Sequence, residues 1–258
     1  MSPPRVVLLT GASSGIGAAL ALELGRRGWK VGLIARRAEE LAALAAQIGP
    51  QAAAAPADVT DAESLQRAVA ELEAKLGPTT LMVANAGIGG PTPGASWSSR
   101  MVLKILRVNV EGVVNAFGAV LPGMIARGHG HLAAVSSFAG YRGLPGFGAY
   151  NASKSAVTTL CESLRIELVA KGIPVTTVHP GFIRTPMTAP NKFPMPFLME
   201  PDAFARLVAD GLERKAAEVN GPWQMAIIMG LARFFPNWLW DALARKAAPP
   251  ARPAPETP

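Results

Sequence analysis

The stretch RVVLLTGASSGIG, residues 5–17, decides the fold, because an apolar run passes directly into a glycine-rich loop. Residues 5–9 predict a buried strand, and the helical spacing of apolar residues begins at Gly15. Glycines permit a tight turn and close approach of a pyrophosphate, and the free N–H groups of a helix N-terminus attract an anion. The pattern is G-x-x-x-G-x-G, so we expect a strand–turn–helix unit that holds a dinucleotide. The residues expected to contact it are Gly11, Ser13, Ser14, Gly15, Ile16 and Gly17.

Short apolar runs alternate with longer helical stretches along the rest of the chain. The alternation predicts an α/β fold, a Rossmann-type doubly wound parallel sheet of six or seven strands with helices on both faces. Strands are predicted at 5–9, 30–35, 51–57, 80–85, 131–136 and 174–179. Helices are predicted at 15–27, 38–47, 61–76, 96–124, 149–171 and 201–217. A chain of 258 residues can form one large domain, which we place at 1–248.

Composition argues against several classes of protein. Cys161 is the single cysteine, so an intrachain disulfide is impossible and a reducing compartment fits. The net charge of +7 comes from scattered lysines and arginines without interleaved aromatics, which argues against nucleic-acid binding. We expect a cytoplasmic protein, because no secretory signal pattern is present and no uninterrupted apolar run reaches the ~18 residues of a membrane span. No metal site is expected.

Four polar residues downstream of the glycine loop, Asn109, Ser137, Tyr150 and Lys154, can together move a hydride and a proton. Tyr150 and Lys154 are four residues apart in a helical stretch, so they share one face. A phenol is a weak acid or base at neutral pH, and a neighbouring ammonium lowers its pKa. Ser137 follows the fifth predicted strand and can hydrogen-bond a substrate oxygen. With the glycine loop, these residues predict a nicotinamide-dependent oxidoreductase.

The residues after the second predicted strand indicate which nicotinamide cofactor is used. NAD-selective sites place an acidic residue there, whereas this chain has Arg36 and Arg37. Arginine suits the 2′-phosphate of NADP by its charge and its forked donors, so we expect NADP(H). Asp58, beside Val59, can accept from the adenine amino group. Asn85-Ala86-Gly87 ends the fourth strand, where a small backbone can border the cofactor.

Together these motifs resemble those of the short-chain dehydrogenases/reductases, in their compact single-domain branch. The matching motifs are Thr10-Gly11-(x)3-Gly15-Ile16-Gly17, Asp58-Val59, Asn85-Ala86-Gly87, Asn109, Ser136-Ser137 with Ala139-Gly140, Tyr150-(x)3-Lys154 and Pro180-Gly181-(x)3-Thr185. The intervals also match, with 28 residues from Asn109 to Ser137 and 13 from Ser137 to Tyr150, which selects Ser137 over Ser136.

The resemblance implies a role for each of these residues. Tyr150 would be the general acid in reduction and the base in oxidation, and Lys154 would tune it and hold the nicotinamide ribose. Ser137 would orient and polarise the carbonyl, and Asn109 would support a proton relay through a water. The residues expected to hold the nicotinamide carboxamide are Pro180, Gly181, Ile183 and Thr185.

The C-terminal part departs from this resemblance. Residues 187–200 are rich in Pro, Met and Phe, which favours a substrate lid and an apolar carbonyl or alcohol substrate. Where many relatives end in a seventh strand and a glycine-rich close, residues 223–248 show apolar helical positions with Arg233, Arg245 and Lys246. This extension packs on the domain or a second subunit, caps the substrate pocket, or lies in a membrane interface.

Other expectations concern the assembly, the tail and the function. We expect a homo-oligomer, a dimer or a tetramer, and a disordered Pro-rich tail at 249–258. Two further functions stay open beside the reductase. One is an NADP(H)-binding sensor or scaffold without turnover, since a fold does not imply an activity. The other is a membrane-associated reductase of lipid-type substrates.

Overall fold

A computed structural model of the chain describes residues 5–247. Its strands are β1 (Val6–Thr10), β2 (Lys30–Ala35), β3 (Ala52–Pro56), β4 (Leu81–Ala84), β5 (Leu132–Val135), β6 (Val175–Pro180) and β7 (Glu218–Gly221). Its α-helices are α1 (Gly15–Arg26), α2 (Ala38–Ile48), α3 (Ala62–Leu76), α4 (Ser99–Leu106), α5 (Gly112–Arg127), α6 (Gly148–Leu168), α7 (Pro201–Glu213), α8 (Trp223–Ala232) and α9 (Asn237–Ala247). The strands form one parallel sheet in the order β3-β2-β1-β4-β5-β6-β7, which confirms the predicted fold class.

The central strand β1 shows why the sheet is covered on both faces. All five of its residues are buried, as the strands of a parallel sheet require. Val7 and Leu9 lie in one apolar core with α1, α2 and α7, whereas Val6 and Leu8 lie in a second core with α3, α5 and α6. The alternation of side chains along β1 therefore divides helices between the two faces.

The strand order reverses between β1 and β4, the first and fourth strands along the chain. Ligands of doubly wound sheets bind outside the carboxyl ends of the strands at such a switch point. The loops that follow β1 to β6 all leave from this edge, and these loops and the helices after them contain the site residues predicted from the sequence.

Two predicted helices are wrong in detail. The stretch predicted at 96–124 consists of a short 3-10 turn (Gly94–Ser96), α4, a π-helical segment (Arg107–Glu111) and α5. The helix predicted at 201–217 ends at Glu213, and β7 follows it.

The seventh strand, absent from the strands predicted individually, agrees with the predicted total of six or seven and lies directly before the extension at 223–248. β7 pairs in parallel with β6, where His179 is opposite Asn220. Its sequence EVNG contains one apolar residue, Val219, and an Asn-Gly pair typical of turns. Pairing with the edge of β6 rather than local propensity makes it a strand.

The stretch Ser99–Arg127 is the one segment of the described residues 5–247 whose length and composition suffice to cross a membrane. Val113, Phe117 and Val120 of this stretch are buried in the core beneath the sheet. Buried core helices of globular domains pass the same test of length and hydropathy, and the packing of α5 identifies it as one.

Helices α8 and α9 follow β7 and form the predicted apolar extension. They are joined by a turn at Pro236, whose carbonyl accepts from the amides of Leu239 and Trp240 at 3.0 and 3.1 Å. The Pro-rich tail predicted at 249–258 lies outside the described residues.

Candidate active site

The glycine loop lies between β1 and α1, as predicted. Gly11 has a φ of +66°, and a Cβ there would lie 2.7 Å from Ala86 Cα. A Cβ on Gly17 would lie 2.3 Å from the Gly11 carbonyl oxygen. Gly11 is therefore required both for its backbone conformation and because there is no room for a Cβ. Gly17 is required because there is no room for a Cβ.

The N-terminus of α1 has the properties of an anion site. Its N-cap is Ser14, and within the described chain the Ser14 side chain makes no capping hydrogen bond and the first turn holds no acidic residue. The positive end of the helix dipole therefore points into the loop without neutralisation, as phosphate binding requires. The side chain of Ile16 packs against the core beside α1, and its contact with the cofactor stays a prediction.

Thr10 and Asn85 join β1 and β4 at the switch point. Thr10 Oγ1 accepts from the amides of Asn85 and Ala86, both at 3.1 Å, and Asn85 Nδ2 donates to the Gly11 carbonyl at 3.2 Å. The predicted motif that ends in Gly87 thus fixes the glycine loop against the fourth strand.

Two arginines lie beside the glycine loop, as the sequence predicts. Arg37 donates to Ser13 Oγ at 2.9 Å from Nη2 and 3.3 Å from Nε. Arg36 is 71% exposed, and its Nη1 lies 3.7 Å from Asp58 Oδ2. The exposed guanidinium of Arg36 and the hydroxyl of Ser13 are donors available to an anionic group at this corner.

Asp58 and Val59 follow β3 in different roles. Burial raises the pKa of Asp58, but hydrogen bonds from the amide and hydroxyl of Thr60 and the charge of Arg36 together hold it below its ordinary value. The carboxylate is thus ionised at neutral pH and can accept from a ligand. Val59 is buried, and a Cβ on Gly112 would lie 2.7 Å from Val59 Cγ2. Its side chain therefore packs against Gly112 and positions the loop that follows β3.

Ser137, Tyr150 and Lys154 come together at the end of β5, although they lie on two elements. Ser137 Oγ accepts from the Ala139 amide at 3.1 Å and lies 3.4 Å from the Pro180 carbonyl. Tyr150 and Lys154 share a face of α6, with Lys154 Nζ 5.7 Å from the centre of the Tyr150 ring. Lys154 Nζ also donates to the Val135 carbonyl at 2.7 Å.

The pKa values of this cluster differ from the sequence expectation. Burial raises the pKa of Tyr150 above its ordinary value, and a hydrogen bond with Ser137 opposes this rise. Burial lowers the pKa of Lys154 to about 8. At 5.7 Å from the ring centre, Lys154 does not offset the desolvation of the phenol, so Tyr150 is protonated at neutral pH and is set up as an acid.

Asn109 is buried in the π-helical segment. Its Nδ2 donates to the Ile88 carbonyl and to Ser153 Oγ, both at 3.0 Å, and its Oδ1 accepts from the Ile88 amide at 2.8 Å. A Cβ on Gly87 would lie 3.3 Å from Asn109 Oδ1 and 3.5 Å from Lys154 Nζ. Asn109 therefore fixes the loop after β4 beside Lys154, and the water relay stays a prediction.

The loop after β6 closes the other side of the site. Pro180 ends the strand, and the Gly181 amide donates to the Gly221 carbonyl of β7 at 2.7 Å. Ile183 is buried, whereas Thr185 approaches the glycine loop: a Cβ on Gly15 would lie 3.2 Å from Thr185 Cγ2. Of the predicted carboxamide residues, Thr185 thus lies beside Gly15, where the glycine loop meets α1.

Met187, the first residue of the lid predicted at 187–200, lies near Tyr150. A Cβ on Gly89 would lie 3.5 Å from Met187 Sδ and 3.9 Å from Tyr150 Cδ2, which places Met187 near the phenol. The Phe193 ring centre lies 6.1 Å from that of Phe182 and 6.4 Å from that of Phe147. Met187 thus places an apolar side chain near Tyr150, and Phe193 of the predicted lid packs against Phe182 and Phe147.

Sequence reasoning missed the polar residues behind the site. Ser136 Oγ donates to the Lys154 carbonyl at 2.7 Å and lies 2.8 Å from Thr158 Oγ1, which in turn lies 3.3 Å from His179 Nε2. Ser153 Oγ donates to the Tyr150 carbonyl at 2.7 Å. These side chains hold α6 in register with β5 and β6, and isolated Ser, Thr and His residues carry no sequence signal for such a role.

Comparisons with known proteins agree with this geometry. Residues 5–194 match the family described as short chain dehydrogenase. An uncharacterized oxidoreductase of Myxococcus xanthus is 44% identical over 245 residues, which cover 94% of this chain and 97% of that protein.

Solved structures of the same family share the fold. A short-chain dehydrogenase from Streptomyces avermitilis superposes with a TM-score of 0.80 at 27% identity, covering 94% of this chain and 98% of that one. A 3-ketoacyl-(acyl-carrier-protein) reductase from Brucella melitensis, complexed with NADH, superposes with a TM-score of 0.78 at 28% identity, covering 84% and 96%. The chain belongs to the short-chain dehydrogenase family and is an oxidoreductase of that type, a family that binds a nicotinamide cofactor.

Proposed function

We propose that this protein is an NADP(H)-dependent reductase that interconverts a carbonyl and an alcohol on an apolar substrate, with Tyr150 as the acid and base. The observation that carries the proposal is the cluster of Tyr150, Lys154 and Ser137 beside a glycine loop on one edge of the sheet. The apolar side chain of Met187 near Tyr150 and the phenylalanine cluster around Phe193 in the predicted lid support an apolar substrate.

The protein's own groups have separate tasks in this proposal. Ser137 Oγ holds the carbonyl oxygen, and Tyr150 gives it a proton from the protonated phenol. Lys154 lies beside the ring and counters the negative charge that develops on the phenol oxygen. Such electrostatic stabilisation is typically worth several kcal/mol. In oxidation the same groups act in reverse.

The residues at the start of the sheet fit NADP(H). The uncapped N-terminus of α1 and the close approach of Gly11 to β4 suit a pyrophosphate. Arg36, Arg37 and Ser13 form a corner with the donors and charge that suit a 2′-phosphate. Bound there, the cofactor supplies or receives the hydride.

The test is a comparison of the chain's only two tyrosines. Oxidation of NADPH is measured against a panel of apolar ketones, aldehydes and diketones, with NADH in parallel. Tyr150→Phe is expected to lower turnover by roughly 100-fold or more, the usual range for loss of a general acid. Tyr141→Phe lies outside the cluster and is expected to keep wild-type turnover.

Equal turnover of the wild type and Tyr150→Phe would contradict the proposed chemistry. Tight NADPH binding without turnover of any carbonyl would instead favour the sensor or scaffold function. The cytoplasmic location and the homo-oligomer remain proposals, and the mass in solution by light scattering tests the second of them.

A further inference from the structure

The hairpin of α8 and α9 exposes large apolar side chains in a regular pattern. Within 223–247, the large apolar side chains more than 40% exposed are Trp223, Ile227, Ile228, Leu231, Phe234, Trp238 and Leu243. Trp223, Ile227 and Leu231 follow one another at intervals of four residues along α8, and Phe234 follows in the turn after the helix, so the four form one stripe. We call this stripe and Trp238 the hairpin face.

The hairpin face is not buried against the domain. Phe234 is 86% exposed and Trp238 is 73% exposed. An open cavity of about 650 Å³ separates part of α8 from Tyr141 and from Glu218 of β7. The hairpin face is thus exposed on the single chain, which favours contact with a second subunit or a membrane interface over burial against its own domain.

Cations accompany the hairpin face. Arg245 and Lys246 are exposed near the end of α9, and Arg233 lies between α8 and the turn, with its guanidinium 4.5 Å from the Tyr141 ring. Asp241 is the single acid within 223–247. Tryptophan and phenylalanine beside lysine and arginine are the composition of helices that lie in an anionic lipid surface.

The size of the face also favours lipid over a protein partner. A stable protein interface involves about 20–30 residues on each side, many more than this stripe provides. Helix α8 has 10 residues and is about 15 Å long, half the thickness of a bilayer core, so it can lie in the interface but cannot span.

A loop of the domain connects the hairpin to the predicted lid. The loop 141–147 connects the two, because Arg142 donates to Asn237 Oδ1 and the Gly143 carbonyl accepts from Trp240 Nε1 at 2.9 Å. The other end of that loop carries Phe147, which contacts Phe193 of the lid.

We propose that the hairpin face docks this protein peripherally on an anionic lipid surface, with the opening beside Tyr150 close to the lipid. A membrane-dissolved substrate then reaches the site without crossing water. The docking itself does not rest on the proposed catalysis.

The test is co-sedimentation of the full chain with vesicles of phosphatidylcholine alone and of an equal mixture of phosphatidylcholine and phosphatidylglycerol. We expect binding to the mixed vesicles, weakened at about 0.5 M salt because charge attraction is screened. Leu231→Ser/Phe234→Ser is expected to weaken binding roughly tenfold or more, since it removes two inserting side chains. Arg245→Glu/Lys246→Glu is expected to weaken binding to mixed vesicles only.

The matched control is Ile166→Ser/Val169→Ser, because these α6 and post-α6 side chains are 72% and 73% exposed but lie outside the hairpin. It is expected to bind like the wild type. No binding to mixed vesicles, or equal loss in the control, overturns the proposal. A fall in solution mass for Leu231→Ser/Phe234→Ser without vesicle binding overturns it and assigns the face to a second copy. NADPH turnover of the soluble protein, measured in parallel, tests the proposed function independently.

Discussion

The ammonium group of Lys154 is buried, and burial disfavours its charged form. Its side chain is buried, and its ammonium has one protein acceptor on the described chain, the Val135 carbonyl at 2.7 Å. Desolvation therefore lowers its pKa to about 8. The ammonium charge that the chemistry needs is thus lost only slightly above neutral pH.

A pH dependence follows from this pKa. Protonated Lys154 supports proton donation by Tyr150, so we expect kcat/KM for carbonyl reduction to fall as the pH rises through about 8. Tyr150 does not produce this fall, because its own pKa is raised above the ordinary value of 10. Initial rates with NADPH from pH 6 to pH 10 measure it, and a constant kcat/KM across the range would contradict the assignment.

Arg36 gives a second test at a single side chain. If its guanidinium holds a 2′-phosphate, Arg36→Ala raises the KM for NADPH by roughly tenfold, the value of one charge-assisted hydrogen bond, and leaves the KM for NADH nearly unchanged. Arg67→Ala is the matched control, because its side chain on α3 is 70% exposed compared with 71% for Arg36. Equal effects on both cofactors would remove the basis for NADP selectivity.

Helices α1 and α7 are joined on one face of the sheet by a network centred on Arg27. Arg27 donates to Glu23 at 2.8 Å, to Asp210 at 2.7 Å and to Glu213 at 2.9 Å. The arginine side chain is 21% exposed and Glu23 is 11% exposed, whereas Asp210 and Glu213 are 48% and 32% exposed, so solvent screens the Arg27–Glu23 pair least. The network ties residues close to the first βα unit to a helix late in the chain.

Removal of the central guanidinium tests the network. Arg27→Met leaves three carboxylates without their shared cation, and we expect the free energy of unfolding to fall by about 1–3 kcal/mol. Lys75→Met breaks one exposed pair with Glu71 on α3 and is expected to cost at most about 0.5 kcal/mol. Urea unfolding followed by circular dichroism compares them; equal losses would mean that the network adds nothing.

The elements differ in how well sequence predicts them. Strands buried on both faces, such as β1, are continuous apolar runs, and all six predicted strands are present near their predicted positions. Strand β7 depends on an edge offered by β6, and the π-helical segment depends on Asn109 reaching Ile88. Both depend on tertiary contacts, which local patterns do not contain.

The same distinction holds for the candidate site. Residues at fixed intervals, such as Tyr150 and Lys154, could be predicted from the sequence and do come together. The raised pKa of Tyr150 could not, because it depends on how much solvent the surrounding loops exclude. The supporting residues Ser136 and His179 were also missed, since their hydrogen bonds cross between β5, β6 and α6.

Across the molecule, two buried histidines connect stability to pH. His131 Nε2 lies 2.8 Å from Thr176 Oγ1, and His179 lies at the end of β6. Burial lowers the pKa of each to about 4, from an ordinary 6.5. The folded state therefore holds both imidazoles neutral where the unfolded chain binds protons.

The two lowered pKa values favour the folded state at neutral pH and lose this effect in acid. Stability is complete above pH 6.5 and is lost as the pH falls towards 4, because only the unfolded state takes up protons in that window. Each histidine contributes up to about 3 kcal/mol by its shift of pKa. Urea unfolding at pH 7 and pH 5 measures the loss. His131→Gln is expected to reduce the difference between the two pH values, and His129→Gln, at a half-buried position, is the control.

The π-helical segment Arg107–Glu111 accommodates more residues per turn than the α-helices on either side of it. Removing one residue there would restore regular α-helix and turn everything on one side by about 100° relative to the other. Asn109 would then lose its hydrogen bonds with Ile88, or the apolar side chains of α5 would no longer face the sheet. Natural sequence variation in length is therefore expected in the surface loops around this helix but not within it, so the helix length is constrained by the geometry of the site as well as by the core.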